Sequence, residues 1–177
     1  MFYQYILWGI GYWLIDMVIY LRYFGPLKSG YYQNVESIQD EFREQHSSTL
    51  LWEFIGLVVF YPFGEELIFR GPILLLVQHN QMIWALVATF VGGAIFGIIH
   101  KFEDLDPYTN RTKVCYSNMI CLSIALSGVG YGLLTIIKVS LWPSIIAHSL
   151  WNSNVLLIHY SEKYDNFIVR LSILLQR

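Results

Sequence analysis

The chain has 177 residues, of which 55% are hydrophobic, 17% aromatic and only 14% charged, with a formal net charge of -2 at pH 7. This composition is too apolar for an ordinary soluble domain, and no basic block suggests a nucleic-acid partner. We therefore expect one membrane-embedded domain over residues 1–177.

Five apolar stretches follow one another along the chain, each close to or longer than the roughly 20 residues that a membrane-spanning helix needs. They cover residues 2–24, 50–78, 81–100, 114–138 and 141–160. The polar segment Val35–Glu44, between the first two stretches, predicts a short amphipathic surface helix. The expected fold class is all-α: a polytopic membrane helix bundle with about five transmembrane helices.

Asp16 is a single carboxylate inside the first apolar stretch. An ionisable residue at membrane depth faces either the bundle interior or a neighbouring subunit. A lone aspartate in a helix rich in tyrosine and tryptophan can lie near a polar cavity without a chemical role, so Asp16 is left outside the predicted site.

A cluster of charges lies in the second stretch, where a hydrocarbon environment should exclude it: Glu65, Glu66 and Arg70. Each ionised side chain near the bilayer centre costs about 2.5–3.5 kcal/mol, which indicates a functional site rather than an ion network that only fixes packing. Glu66 and Arg70 are four residues apart, so they share a helix face and can pair. Glu65 points away from that pair, so it is predicted to accept a proton from water.

Two further pairs show the same i,i+4 spacing, Phe96 with His100 and His148 with Asn152. An imidazole and a carboxamide on one helix face can jointly donate hydrogen bonds to a developing oxyanion, which suits His148 and Asn152. Phe96 would shield the site and hold His100. Either histidine alone is more often structural, but the combination favours catalysis.

The positions of the two histidines pose a topological problem. His100 ends the third stretch, whereas His148 lies early in the fifth, and strict alternation of helix direction would place them at different depths. Either the fourth helix ends deep, so that the fifth begins at Trp142-Pro143 below the surface, or the third helix continues past His100 into Lys101-Phe102.

These motifs resemble those of the membrane-embedded CPBP proteases, which include type II CAAX prenyl proteases and bacteriocin-processing enzymes. The EExxxR motif appears at Glu65–Arg70, FxxxH at Phe96–His100 and HxxxN at His148–Asn152, with a glycine-rich stretch at Ser127–Gly132 before the last. The resemblance implies a protease-like core at about residues 50–160. It also implies an endopeptidase acting on a membrane-associated or lipidated peptide or protein.

The resemblance further implies a role for each motif residue: activation of water by Glu65 with His100, stabilisation of the oxyanion by His148 with Asn152, and support from Glu66, Arg70 and Phe96. It implies no cofactor and no metal. The expected partners are a peptide substrate and the lipid bilayer, and the expected location is a bacterial cell membrane, crossed several times.

Three alternatives remain open from the residues alone. A zinc enzyme would use Glu65, His100 and His148 as ligands, although the chain has no HExxH motif. A non-catalytic relative could act as an immunity factor or bind a partner protein. Among substrates, a prenylated CAAX segment competes with a bacteriocin leader or signalling peptide.

Overall fold

The computed structural model describes residues 2–24, 52, 54–102, 118–160 and 162–176, and within these ranges the fold is helical, without a strand. The α-helices in chain order are α1 Phe2–Ile19, α2 Tyr61–Gln78, α3 Met82–Phe102, α4 Asn118–Lys138, α5 Trp142–Tyr160 and α6 Glu162–Gln176. One π-helical turn, Tyr20–Phe24, extends α1, and another, Gly56–Phe60, precedes α2. The prediction of an all-α helix bundle is confirmed.

Among the described residues, three helical segments are long and apolar enough to cross a membrane: Phe2–Phe24, Met82–His100 and Asn118–Lys138. They correspond to the first, third and fourth predicted stretches. α2 falls short because it carries the charged cluster, and α5 because it carries histidine, asparagine and serine side chains. The residues that suggest a site therefore also weaken the hydropathy signal. The predicted surface helix Val35–Glu44 lies outside the described residues.

α6 was not expected as a helix. It packs on the π-helical turn that extends α1, where Ser172 Oγ donates to the Leu21 carbonyl at 3.0 Å and Arg22 donates to the Leu175 carbonyl. Ile168 and Ser172 are almost fully buried in this contact. Among the described side chains of α6, buried Ile168 and Ser172 share one side of the helix, whereas Arg170 and Leu174 are exposed, so the segment lacks the continuous apolar run of the other helices.

α3 and α4 form the most extensive helix pair, and small residues allow their close approach. Gly93 and Gly97 of α3 face Val129 and Ala125 of α4. A Cβ atom added at Gly97 would lie 2.6 Å from Ala125 Cβ, and one at Gly93 would lie 2.6 Å from Val129 Cγ2. Such GxxxG contacts stabilise membrane helices through backbone proximity. This contact positions α3, which carries His100.

The variant Gly97→Ala is expected to lower the thermal unfolding temperature in detergent, because overpacking of a close contact costs about 1–3 kcal/mol. Gly11→Ala is the matched control, since a Cβ atom at Gly11 would have no neighbour within 4 Å. Alanine there should be neutral or stabilising, as it favours a helix over glycine by about 1 kcal/mol. Equal unfolding temperatures for the two variants would contradict the close α3–α4 contact.

The helix boundaries bear on the depth problem between the two histidines. α3 continues past His100 to Phe102, as one of the two proposed solutions required. α4 ends at Lys138, and α5 begins at Trp142 after a tight turn in which Val139 has a φ of 48°. α5 then packs against α1, α2, α4 and α6, so His148 lies inside the bundle.

Candidate active site

The buried charges of α2 form an ion pair. Glu66 and Arg70 are 0% and 1% exposed, and Arg70 Nε lies 3.4 Å from Glu66 Oε2. Arg70 Nη2 also donates to the Gly128 carbonyl of α4 at 3.0 Å, and the guanidinium lies 4.8 Å from the centre of the Phe96 ring. Buried charges need such compensation because desolvation costs several kcal/mol per ion. The pair expected from the i,i+4 spacing is present, and Arg70 links α2 to α3 and α4.

His148 of α5 contacts both glutamates of α2. Its Nδ1 atom lies 3.0 Å from Glu66 Oε1, and its Nε2 atom lies 3.5 Å from Glu65 Oε2. Because Glu66 is fully buried, its contact with Nδ1 fixes the orientation of the imidazole ring. The Glu65 side chain is 28% exposed, so it is open to molecules from outside the bundle. The two neighbouring carboxylates therefore differ: Glu66 is enclosed, and Glu65 is accessible.

The Phe96 ring contacts both His100 and His148. Its ring centre lies 4.6 Å from that of His100 and 5.7 Å from that of His148, with an edge-to-face arrangement in both contacts. His100 Nδ1 donates to the Phe96 carbonyl at 2.7 Å. Because a carbonyl can only accept, Nδ1 carries the hydrogen, which leaves Nε2 as the proton acceptor of a neutral ring. The resemblance groups Glu65 with His100, whereas the structure shows Glu65 in contact with His148.

Asn152 lies one turn after His148 on α5. Its Nδ2 atom donates to the Leu57 carbonyl in the π-helical turn before α2, at 2.8 Å. Leu57 also lines a cavity of about 420 Å³, together with Trp52, Gly56 and Tyr61. A carboxamide has two N–H groups, so Asn152 can hold Leu57 and still donate a second hydrogen bond.

Two tyrosines and a carboxylate extend the polar network towards α1. Tyr131 stacks on His148, with ring centres 5.4 Å apart and an interplanar angle of 19°, and the Tyr12 ring meets Tyr131 at 5.4 Å. The Tyr12 hydroxyl donates to the Ser127 carbonyl at 3.4 Å, and Ser127 Oγ donates to Asp16 Oδ1 at 2.9 Å. Asp16 thus faces the bundle interior, one of its two expected positions, and is 7% exposed.

Sequence reasoning did not connect Tyr12, Asp16 or Tyr131 with the site. Tyr131 lies in the glycine-rich stretch Ser127–Gly132, which was noted only for its resemblance to a family feature. Tyr12 and Asp16 have the same i,i+4 spacing as the motif pairs, and that spacing was the available signal. Their neighbours on α4 are distant in sequence, so only the fold reveals the contact.

Comparison with known proteins identifies a family for this chain. The family model described as type II CAAX prenyl endopeptidase, Rce1-like, matches residues 47–154, which is more than half of the chain. The matched region contains all three motifs, from Glu65 to Asn152. No curated protein and no solved structure matches the chain significantly. With its apolar helices, this is an integral membrane protein. The chain belongs to the Rce1-like family of type II CAAX prenyl endopeptidases.

Proposed function

We propose that this protein is an intramembrane endopeptidase in which a glutamate and a histidine activate water to hydrolyse a peptide bond. The observation that carries the proposal is the contact between an accessible carboxylate, Glu65, and an imidazole, His148, whose other nitrogen contacts the fully buried Glu66. A general base must be within reach of its water molecule, and its neighbours must be held in place. Both conditions are supported by this arrangement.

In the proposed reaction, the water proton moves to Glu65, assisted by the acceptor nitrogen of His100, while the water oxygen attacks the carbonyl carbon of the scissile bond. His148 in its doubly protonated form, in which both ring nitrogens are donors, then donates its Nε2–H to the oxyanion. Asn152 donates its second N–H to the same oxygen, while its first N–H donates to the Leu57 carbonyl. Two such donors stabilise the charge that develops in the transition state. The proton taken from water finally passes to the leaving amine, and the peptide bond breaks.

The proposed substrate is a membrane-associated or lipidated peptide or protein. A prenylated CAAX segment and a bacterial leader or signalling peptide are the two candidates, and the proposed location is a bacterial cell membrane that the helices cross several times. Family membership supports a peptide substrate at the membrane. The apolar helices α1, α3 and α4 support insertion in the bilayer.

The substrate can be identified by comparing membrane peptidomes of cells that make either the wild-type protein or the Glu65→Gln variant. We expect at least one precursor peptide to accumulate uncut only with the variant, at equal protein levels in the membrane. The cut site then distinguishes a CAAX segment from a leader peptide. Identical peptidomes would replace the enzymatic proposal with that of a non-catalytic, partner-binding relative.

We also propose that cleavage is metal-independent. The resemblance of the three motifs to those of the CPBP proteases supports a glutamate mechanism without a metal, and both ring nitrogens of His148 face carboxylates. Cleavage by the purified protein is therefore expected to be unchanged by EDTA or 1,10-phenanthroline. Loss of cleavage with a chelator and its return with zinc would instead support the alternative ligand set Glu65, His100 and His148.

A further inference from the structure

The π-helical turn Gly56–Phe60 leaves one carbonyl without a donor in its own helix. The Tyr61 N–H bonds the Gly56 carbonyl, five residues back, instead of the Leu57 carbonyl that it would meet in an α-helix. With the same spacing of five residues, the donor to the Leu57 carbonyl would be the N–H of residue 62. Pro62 has no N–H. Leu57 therefore needs a donor from elsewhere, because an unpaired backbone carbonyl away from water is costly.

Asn152 supplies this donor, at 2.8 Å. We propose that Pro62 is a positioning residue, which keeps the Leu57 carbonyl available for Asn152 and so holds the carboxamide where its second N–H can reach the oxyanion. This inference rests on the proposed function, in which Asn152 stabilises the oxyanion.

Pro62 suits this role by its place in the fold. It is fully buried at the second position of α2, directly after the π-helical turn, so the N–H that proline lacks is the one that would face the Leu57 carbonyl. π-Helical turns are frequent at functional sites. With an N–H at position 62, the Leu57 carbonyl would gain a donor in its own helix, and the turn could relax towards an α-helix. Asn152 would then compete for Leu57 and become less well oriented.

The test is the variant Pro62→Ala, assayed with a peptide that the wild-type protein cleaves. We expect kcat to fall about tenfold, less than for complete loss of an oxyanion donor, with KM unchanged. The unfolding temperature should not fall, because alanine restores a helical hydrogen bond. Pro72→Ala is the matched control: Pro72 is an exposed proline farther along α2, and its replacement should leave kcat at the wild-type value.

A second variant separates the missing N–H from the shape of the proline ring. Lactic acid, the α-hydroxy analogue of alanine, can be incorporated at position 62 by nonsense suppression. It has the alanine side chain but, like proline, no N–H. Its kcat is expected to stay close to that of the wild-type protein, and this comparison remains decisive if Pro62→Ala does not fold. A tenfold loss of kcat in the folded lactic acid variant would overturn the inference.

The variant Asn152→Ala distinguishes failure of the inference from failure of the proposed function. It is expected to lower kcat by about 10²–10³-fold, and adding Pro62→Ala should then cause no further loss. An unchanged kcat in Asn152→Ala would remove the oxyanion role from the proposed function itself. If Asn152→Ala is slow but Pro62→Ala is not, or if the effect of Pro62→Ala persists undiminished without Asn152, only the positioning role is wrong.

Discussion

The isosteric variant Glu65→Gln is expected to lower the rate of peptide cleavage by about 10²–10⁴-fold, the range that general base catalysis contributes. Glutamine keeps the shape of glutamate and can still accept a hydrogen bond from His148, which lies 3.5 Å away. Its neutral amide cannot take a proton from water. The protein should therefore fold and bind substrate but not turn it over, as measured by initial rates with purified protein and by an unchanged unfolding temperature.

The matched control for Glu65→Gln is His79→Gln, an exposed substitution at the end of the same helix. This control should cleave at the wild-type rate. If Glu65→Gln retained more than about a tenth of wild-type activity, proton transfer to Glu65 could not be the main source of the rate enhancement. The base would then have to be sought at His100, whose Nε2 atom is the other proton acceptor near the site.

The largest effect on stability is expected from Arg70→Leu. Glu66 is fully buried, and removing Arg70 would leave its carboxylate without the cation 3.4 Å away. Breaking a buried ion pair by removing one partner costs about 3–5 kcal/mol. The variant would also lose the hydrogen bond to Gly128 and the contact with the Phe96 ring. The free energy of unfolding, measured by titration with SDS in mixed micelles, should fall by this amount.

Two further variants test whether this loss of stability arises from the buried Glu66 carboxylate. Adding Glu66→Gln to Arg70→Leu should recover part of the stability, because it removes the buried carboxylate that has lost its arginine partner. Arg170→Leu, which replaces an exposed arginine of α6, should change the free energy of unfolding by no more than about 0.5 kcal/mol. If Arg70→Leu were as stable as Arg170→Leu, Arg70 would have no part in holding the bundle together.

The local features of the site could be predicted from sequence because they depend on helical spacing. Glu66 pairs with Arg70, and Phe96 contacts His100, at the i,i+4 separation read from the chain. The five apolar stretches begin and end within a few residues of the observed helical segments, the second covering the π-helical turn Gly56–Phe60 as well as α2. A pattern of this kind predicts which side chains share a face of one helix.

Contacts between helices could not be predicted in this way. The position of His148 between Glu65 and Glu66 depends on how α5 crosses α2, and periodicity within either helix does not specify that crossing. The bond from Asn152 to Leu57 depends on a local departure from α-helical geometry before Pro62. Asp16 pairs with Ser127 across the α1–α4 contact, which no short motif reveals.

The hydrogen bond from Ser172 to Leu21 has a consequence for how this chain can be recombined with its relatives. The extended α1 and the last helix, α6, lie on either side of the family-matched residues 47–154, yet they contact each other, and both pack on α5. The two flanks therefore form one unit that packs on the family-matched core. A chimera that exchanged only one flank would join surfaces that never evolved together, whereas exchanging both would carry their shared interface intact.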